Sequence, residues 1–476
     1  MKVLRNFAYT SGYQIFSIIV PIITTPYISR QLGPSGMGIN AFSLSLVQVF
    51  VLFAYLGTQK YGNNMISKSR DDDAELISNF KSIYVNQLLT TTVTLLLYVV
   101  YVLLFINKYQ GLYFIQGLYL LSVYFDVSWF FQGKEDFKTT VIRGMGSKLL
   151  GVALIFILIK GPQGTVLYGF ILAVSSLMAN IAMWVYLWYE INWRQFLKVR
   201  LRLKPFINQL RHIFTYFIPV AFLQITTQMY QLILGWHASA TEVAYYANAS
   251  KIIIIPLYII TSFITVMFPR ISYELASEGK ERVADLLKSS VEITMLLSIP
   301  LTFGMIAISS NFVDWFFGPG FVEVSSVIII LSLRIIPATL NETFGYLYLM
   351  ADGKATLYSL ALSIGGAVSL ILNFVVTLAG GADATAWVSV ISEVLIMLAI
   401  LFFSRSKAKV LLDGLILRSF LYSILMFIPI YFVGLNHNGS IFITVVQIIL
   451  AILIYGGLIL IFERSKIHKI LRSFTN

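Results

Sequence analysis

The chain has 476 residues, of which 58% are hydrophobic and only 12% charged, with a mean hydropathy of +0.81. Globular domains carry about a quarter charged residues, so the composition excludes a soluble fold and predicts an all-α polytopic membrane protein. Cysteine is absent, which excludes a disulfide framework or a cysteine metal centre. The four histidines, His212, His237, His437 and His468, show no ligand spacing.

The first apolar run, Tyr9 to Asn40, sets the theme. It carries Pro21 and Pro26 inside, reaches Arg30, and ends in the turn Gly33-Pro34-Ser35-Gly36-Met37-Gly38. Interior prolines break soluble helices, but a membrane helix tolerates them where neighbours or cavity water satisfy the freed carbonyls. With Thr24, Thr25 and Tyr27 beside them, the prolines read as a hinge in the wall of a polar cavity; a helix merely bent by proline is the plainer alternative. Lys2 and Arg5 precede a run longer than the apolar core of a cleavable signal.

Taken in order, the apolar segments are 6–29, 38–58, 82–106, 111–131, 139–160, 164–188, 213–235, 246–268, 289–310, 324–350, 355–378, 384–403, 413–435 and 440–462. Each is near the ~20 residues that cross the hydrocarbon as a helix, so fourteen transmembrane helices are predicted. The connections assigned to the inner side hold 29 of the 34 Lys and Arg residues, against Arg30, Lys108 and Lys160 on the other. This asymmetry places both termini in the cytoplasm. The net charge of +12 then reflects orientation and anionic membrane lipid, not nucleic acid.

The longest charged connection follows span six. It divides the chain into an N-terminal lobe (1–189), a basic linker (190–212), a C-terminal lobe (213–403), and two peripheral helices with a basic tail (404–476). Span seven repeats the interior proline of span one, as Pro219. The outer loops are too short for a catalytic domain, which argues against an enzyme such as a glycosyltransferase or polymerase.

Three motifs then stand out. Pro21-Ile22-Ile23-Thr24-Thr25-Pro26-Tyr27-Ile28-Ser29-Arg30-Gln31-Leu32-Gly33-Pro34 lies in span one. Asp126-Val127-Ser128-Trp129-Phe130-Phe131-Gln132-Gly133-Lys134-Glu135-Asp136-Phe137-Lys138 ends span four, and Val266-Met267-Phe268-Pro269-Arg270-Ile271-Ser272 closes span eight. In these motifs the chain resembles the Wzx-type polysaccharide and O-antigen flippases, the polysaccharide transporter family of the multidrug/oligosaccharidyl-lipid/polysaccharide superfamily. The resemblance runs from residue 1 to about 405 and departs from the family at Asn64, where an arginine is expected, and at Tyr230 and Gln231, where an acidic-basic pair is expected.

This resemblance implies two six-helix lobes around a central cavity plus two C-terminal helices, in a bacterial plasma membrane. It implies alternating access and translocation of undecaprenyl-diphosphate-linked oligosaccharide from the inner to the outer leaflet for surface polysaccharide synthesis. A polysaccharide polymerase and the synthesis machinery are the implied partners, and the two-lobe design works as a monomer. No cofactor is expected. The Gly-x-x-x-x-Gly-Lys-Ser/Thr phosphate loop is absent, so energy would come from a Na+ or H+ gradient, the membrane potential or consumption of product.

Ionisable residues inside spans are costly and therefore candidate functional groups. Arg334 lies mid-span ten, three residues before Pro337; Asn341 falls about 20° from it around the helix and Glu342 roughly 80°. Lys251 lies in span eight near Pro256, and Arg30 at the outer end of span one. A diphosphate head group would be matched by Arg334, Lys251 and Arg30, with Asn341 and Tyr27 offering polar and aromatic contacts. Arg334 paired internally with Glu342 or Glu393 is the alternative reading, as is snorkelling of Arg30.

Pro21, Pro26, Pro219, Pro256 and Pro337 are the hinge candidates, and Glu393 and Glu342 the candidates for ion coupling. Arg143 and Lys148 in span five could meet substrate from the cytoplasm or serve orientation. Asp126, Glu135 and Asp136 read as structural ties to nearby basic groups. Tyr9, Tyr13 and Tyr27 could stack on sugars. A drug/cation antiporter of the same superfamily is the competing function, and would favour acidic over basic groups in the cavity.

Overall fold

Long apolar runs leave a backbone no water to bond with, so each run closes its hydrogen bonds internally as a helix. The computed structural model describes residues 2–199, 203–277, 280–405, 411, 413–435 and 439–475, and among these every regular element is helical. Eleven helices are long and apolar enough to cross a membrane, or twelve if one bent pair counts as a span. This is fewer than the fourteen expected, for two visible reasons. The first two predicted spans form one run, Lys2–Tyr55, interrupted only by the non-helical backbone of Gly33 (φ 66°, ψ 178°). The seventh lies in helix Leu203–His237, much of which falls among residues whose side chains are not described.

The chain divides into two units, Met1–Leu232 and Ile233–Asn476. In the first, Tyr61, Ile66, Phe80, Ile83, Trp129, Phe130, Phe131, Met183 and Leu187 form one buried core. The Asp126–Lys138 motif builds its centre. Helix Ser128–Gly133 packs on helix Thr58–Ser69 at Gly62, where a Cβ would lie 2.6 Å from the Trp129 ring. Trp129 Nε1 donates to Gln87 Oε1 (3.0 Å), and Gln87 Nε2 donates to the carbonyls of Val123 (2.6 Å) and Asp126 (2.9 Å). One buried glutamine thereby satisfies the turn where the helix unwinds, which a membrane otherwise penalises.

In the second unit, Val283, Leu287, Val291, Met295, Phe344, Leu349 and Ile400 centre the core. Helix Ala355–Phe403 is interrupted at Gly381 (φ 57°, ψ −140°), where Glu242 Oε2 accepts from Ala382 N at 2.7 Å. The break falls between the predicted spans 355–378 and 384–403. Helices Val324–Ser332 and Ile335–Met350 meet at 40°, and the second continues as a π-helical stretch over Asn341–Met350. Such stretches often mark functional positions. Helices Gly414–Leu435 and Ile441–Phe462 pack on Lys280–Phe316, with Tyr455 Oη donating to Leu296 O at 2.8 Å. The amphipathic helix Arg464–Thr475 follows and buries Ile470 against Leu296 and Leu415.

Candidate functional site

The break between Ser332 and Ile335 places Arg334 at a bend rather than in a smooth helix. From there its guanidinium reaches Glu393 on the following hairpin: Nη2 lies 2.6 Å and Nε 2.8 Å from Oε1. Asn341 takes the other carboxylate oxygen, its Nδ2 donating to Glu393 Oε2 (2.7 Å) and to the Glu393 carbonyl (3.1 Å). The sequence spacing that put Arg334 and Asn341 on one face is thus realised as two donors converging on one carboxylate. The internal pair named for Arg334 is realised with Glu393. Arg334 keeps 33% of its side chain exposed and Glu393 15%.

Two features leave this cluster incomplete. Asn341 is 4% exposed, and its Oδ1 is buried with no hydrogen-bond partner. Glu342, the next residue, is half-buried with the Glu393 carboxylate as its electrostatic neighbour. Tyr358 lies close to both carboxylates, and its ring occupies the space beside Gly345, where a Cβ would stand 2.4 Å from Cε2. Tyr358 is a site residue that no sequence signal marks, because its neighbours belong to other turns and helices. Pro337 is buried just beyond the bend.

The remaining candidates lie elsewhere. Lys251 is exposed and stands 3.5 Å from Asn248 Oδ1; Pro256 is buried in an uninterrupted helix, Ala240–Ala276. Arg30 is exposed and donates through Nη1 to the Pro26 carbonyl at 2.6 Å. Tyr27 Oη donates to Ile159 O at 2.6 Å, satisfying the last carbonyls of helix Phe137–Leu158, and its ring packs on Phe156. The backbone stays helical through Pro21 and Pro26 and yields at Gly33, since only glycine adopts a positive φ there without strain. Thr24 and Thr25 are buried, and Thr24 Oγ1 turns back to Val20 O at 3.0 Å. The side chain of Pro219 lies outside the described residues, as do residues 200–202 of the basic linker.

In the first unit the motif acid Asp126 is 5% exposed and fully engaged. Tyr55 Oη donates to Oδ2 at 2.5 Å, Gln59 Nε2 at 3.3 Å, and Ser128 N to Oδ1 at 2.9 Å. Arg143 lies in its electrostatic field and donates to Ala179 O (3.0 Å) and Asn180 Oδ1 (2.5 Å). Lys148 bonds Ser17 Oγ at 2.8 Å over the Tyr13 ring. Glu135 pairs with Arg70 at 2.9 Å, and Asp136 caps the next helix through Thr139. These acids tie loops to helices, and no group of three or more metal-ligating side chains occurs among the described residues.

The chain matches the family model described as "Polysaccharide biosynthesis protein" over residues 3–275, and the one described as "Lipid II flippase MurJ" over 144–461. A protein of Escherichia coli (strain K12) named "Putative O-antigen transporter" is 24% identical over 86% of this chain and 98% of its own. A "Probable low-salt glycan biosynthesis flippase" of Haloferax volcanii is 27% identical over 34% of this chain and 35% of its own. Among solved structures, a lipid II flippase MurJ in an inward closed conformation superposes with a TM-score of 0.75 at 17% identity, covering 96% of this chain and 99% of that one. An inward-facing multidrug MATE transporter gives 0.64 at 12% identity, covering 83% and 95%. At these identities the structures establish a shared fold, and the family models establish kinship. Each of the two models spans more than half of the sequence, and the chain belongs to the polysaccharide biosynthesis protein family and shares that of the lipid II flippase MurJ.

Proposed function

We propose that this protein moves an undecaprenyl-diphosphate-linked oligosaccharide from the inner to the outer leaflet, by alternating access, for cell-surface polysaccharide synthesis. Fourteen spans, arranged as two six-helix lobes plus two C-terminal helices with both termini cytoplasmic, are the architecture this reading carries. The observation that supports it most is Arg334 at a bent span, part-exposed and paired with Glu393. A diphosphate, though tetrahedral at phosphorus, offers a pair of oxygens that a guanidinium fork binds bidentately as it does a carboxylate, with more charge, so it competes for the same guanidinium edge. Lys251, exposed in its span, is the second cation assigned to the head group, and Arg30 the third, at the outer end. The bend at Arg334 and Pro337 and the break at Gly33 are the places where helices would flex between states.

The competing reading, a drug/cation antiporter, draws on Glu342, an acid beside an already paired carboxylate. Both are tested in cells lacking the native gene. Lipid-linked precursor is assayed by leaflet for Lys251→Ala, Arg334→Ala and the balanced double variant Arg334→Ala/Glu393→Ala. The double variant is needed because removing one partner alone leaves a charge uncompensated. Normal expression with precursor held on the inner leaflet supports the flippase. Unchanged polysaccharide on deleting the gene, with no second flippase present, turns the assignment to the antiporter.

A further inference from the structure

We infer that the C-terminal helix Arg464–Thr475 presents a built site for anionic phospholipid head groups. The site is the face carrying Arg464, His468 and Lys469, just past the end of span Ile441–Phe462.

Ion pairs fix how the helix lies. Glu463, buried at the junction with the span, accepts from Arg418 Nη2 at 3.0 Å and from Tyr422 Oη at 3.1 Å. Three residues on, Lys466 pairs with Asp413, which Lys288 Nζ approaches to 3.3 Å. Beside Lys466, Ile470 is buried against Leu296 and Leu415, and Ile467 packs on the same cluster. At 3.6 residues per turn, Ile467 and Ile470 fall about 60° apart, and Arg464, His468 and Lys469 spread over roughly 140° of the opposite side. All three of these side chains are exposed. Asp413 and Glu463 thus engage Lys466, Lys288 and Arg418, and they leave Arg464 and Lys469 without an ion pair among the described residues. One set of cations docks the helix, and a second set faces outward.

Position decides what the second set meets. Leu460, Ile461 and Phe462 are exposed immediately before the helix, and Leu417 is exposed beside Arg418 on the neighbouring span. Such side chains on a spanning helix meet hydrocarbon, so the basic face starts where hydrocarbon gives way to head groups, a layer of about 5–8 Å on each side. Arg464 and Lys469 lie only ~8 Å apart along the helix axis, which keeps both within reach of that layer. Phosphate oxygens there accept from a guanidinium and an ammonium alike. A zwitterionic lipid brings its own cation to the surface, so the net attraction selects anionic lipid.

The test uses the full chain in nanodiscs of phosphatidylcholine and phosphatidylglycerol in equal parts. Cysteine is absent from the chain, so Ser465→Cys, exposed between the cations, takes a single donor dye. Energy transfer to trace phosphatidylglycerol or phosphatidylcholine, each labelled on an acyl chain, reports which lipid gathers at the helix. Phosphatidylglycerol should be favoured, by roughly fivefold for each cation that reaches the head groups. The preference should vanish in about 1 M salt, where screening acts within ~3 Å. Adding Arg464→Gln/Lys469→Gln should bring the two lipids to parity, while the charge-keeping Arg464→Lys/Lys469→Arg should retain the preference. Equal transfer to both lipids in the dye-bearing parent overturns the site. An unchanged preference in the glutamine variant also overturns it, because the lipid then gathers elsewhere. Parity in nanodiscs, with the dye shielded from a soluble quencher only in membranes that keep their own proteins, overturns it in favour of an acidic protein partner.

Discussion

Asp126 in the first unit and Glu393 in the second are both acids largely removed from solvent inside spans, and their partners make them opposite kinds of site. Asp126 accepts from a phenol, an amide and a backbone N–H, all neutral donors contributed by the helix ends and turn it joins. Glu393 accepts from a part-exposed guanidinium and an amide, with a second carboxyl beside it and an orphaned Asn341 Oδ1 at its edge. A buried acid whose acceptors are filled by fixed neutral donors has no alternative arrangement at similar energy, and so it holds structure. An acid held by a part-exposed guanidinium would have a competing arrangement if, as proposed, an anion claims that guanidinium. The contrast separates a joint from a switch.

The sharpest break of this comparison is Asp126→Ala. It strips the partner from Tyr55, Gln59 and the Ser128 amide at once, each a buried donor costing about 1–3 kcal/mol when unsatisfied. The expected result is a loss of several kcal/mol, read as a steep fall in thermal midpoint and in folded yield. Asp126→Asn, which keeps one acceptor oxygen, should recover part of the loss. If Asp126→Ala instead folds normally and stops transport, the acid is functional and the contrast with Glu393 fails.

Next in size is the Arg334–Glu393 pair. Each single alanine variant should be destabilised by about 3 kcal/mol, because the partner's charge is left in the span, while the double variant should regain much of it. Arg334 is one-third exposed, so solvent reduces the penalty on that side. A double-mutant cycle on thermal midpoints measures this; additive losses would mean the pair carries no coupling. Transport should stay lost in the double variant although stability returns, which is the signature expected of a switch and not of a joint.

A smaller effect is expected from Gly345→Ala. Its Cβ would fall 2.4 Å from Tyr358 Cε2, forcing the ring aside at an overpacking cost of about 1–3 kcal/mol. The companion Gly62→Ala, whose Cβ would meet Trp129 at 2.6 Å, should cost a similar amount of stability. The two should differ in function: Gly345→Ala should lower transport more than Gly62→Ala, since Gly345 lies in the π-helical stretch that begins at Asn341, the partner of Glu393. Equal effects on transport would refute the distinction.

Much of this was legible in the sequence, and what was hidden has physical causes. Hydropathy exposes apolar runs, and the seven-residue spacing of Arg334 and Asn341 gave their common face. The joint role of Asp126 followed from its place at a helix end. Partners across helices were harder. Tyr55 and Gln59 lie far from Asp126 in sequence, and nothing in an apolar run marks Tyr358 as the neighbour of two acids on other turns. Bends were also obscured. Pro21 and Pro26 drew attention, yet the interruption falls at Gly33, because a proline removes one hydrogen bond from a helix whereas a positive φ reverses its backbone. Tyr27 is marked in the sequence only as an aromatic that could meet a sugar; that its hydroxyl closes the end of helix Phe137–Leu158 depends on a carbonyl set by a distant segment.

The smallest expected effect extends the comparison to an acid at a helix start, held by two lysines. Asp413, just before helix Gly414–Leu435, pairs with Lys466 of the C-terminal helix and lies 3.3 Å from Lys288 Nζ. Burial alone pushes its carboxyl up, but hydrogen bonds from Lys466, the Leu415 amide and Lys288 outweigh this and hold it at about 2, below the ordinary 3.8. A depressed folded value means the contribution is complete above the unfolded value near 3.8 and is lost as pH falls through about 2. Attachment of Arg464–Thr475 should therefore be indifferent to pH from 8 down to 4 and weaken only below that, read as amide hydrogen exchange at Ile467 and Ile470. Asp413→Asn should raise exchange there at neutral pH by a few-fold, the modest change expected of a pair near the surface. Loosening of this helix between pH 5 and 7 would contradict the assignment, since no proton then binds Asp413. A flat profile there would show that a carboxyl held by two lysines and a backbone amide keeps its charge across the physiological range.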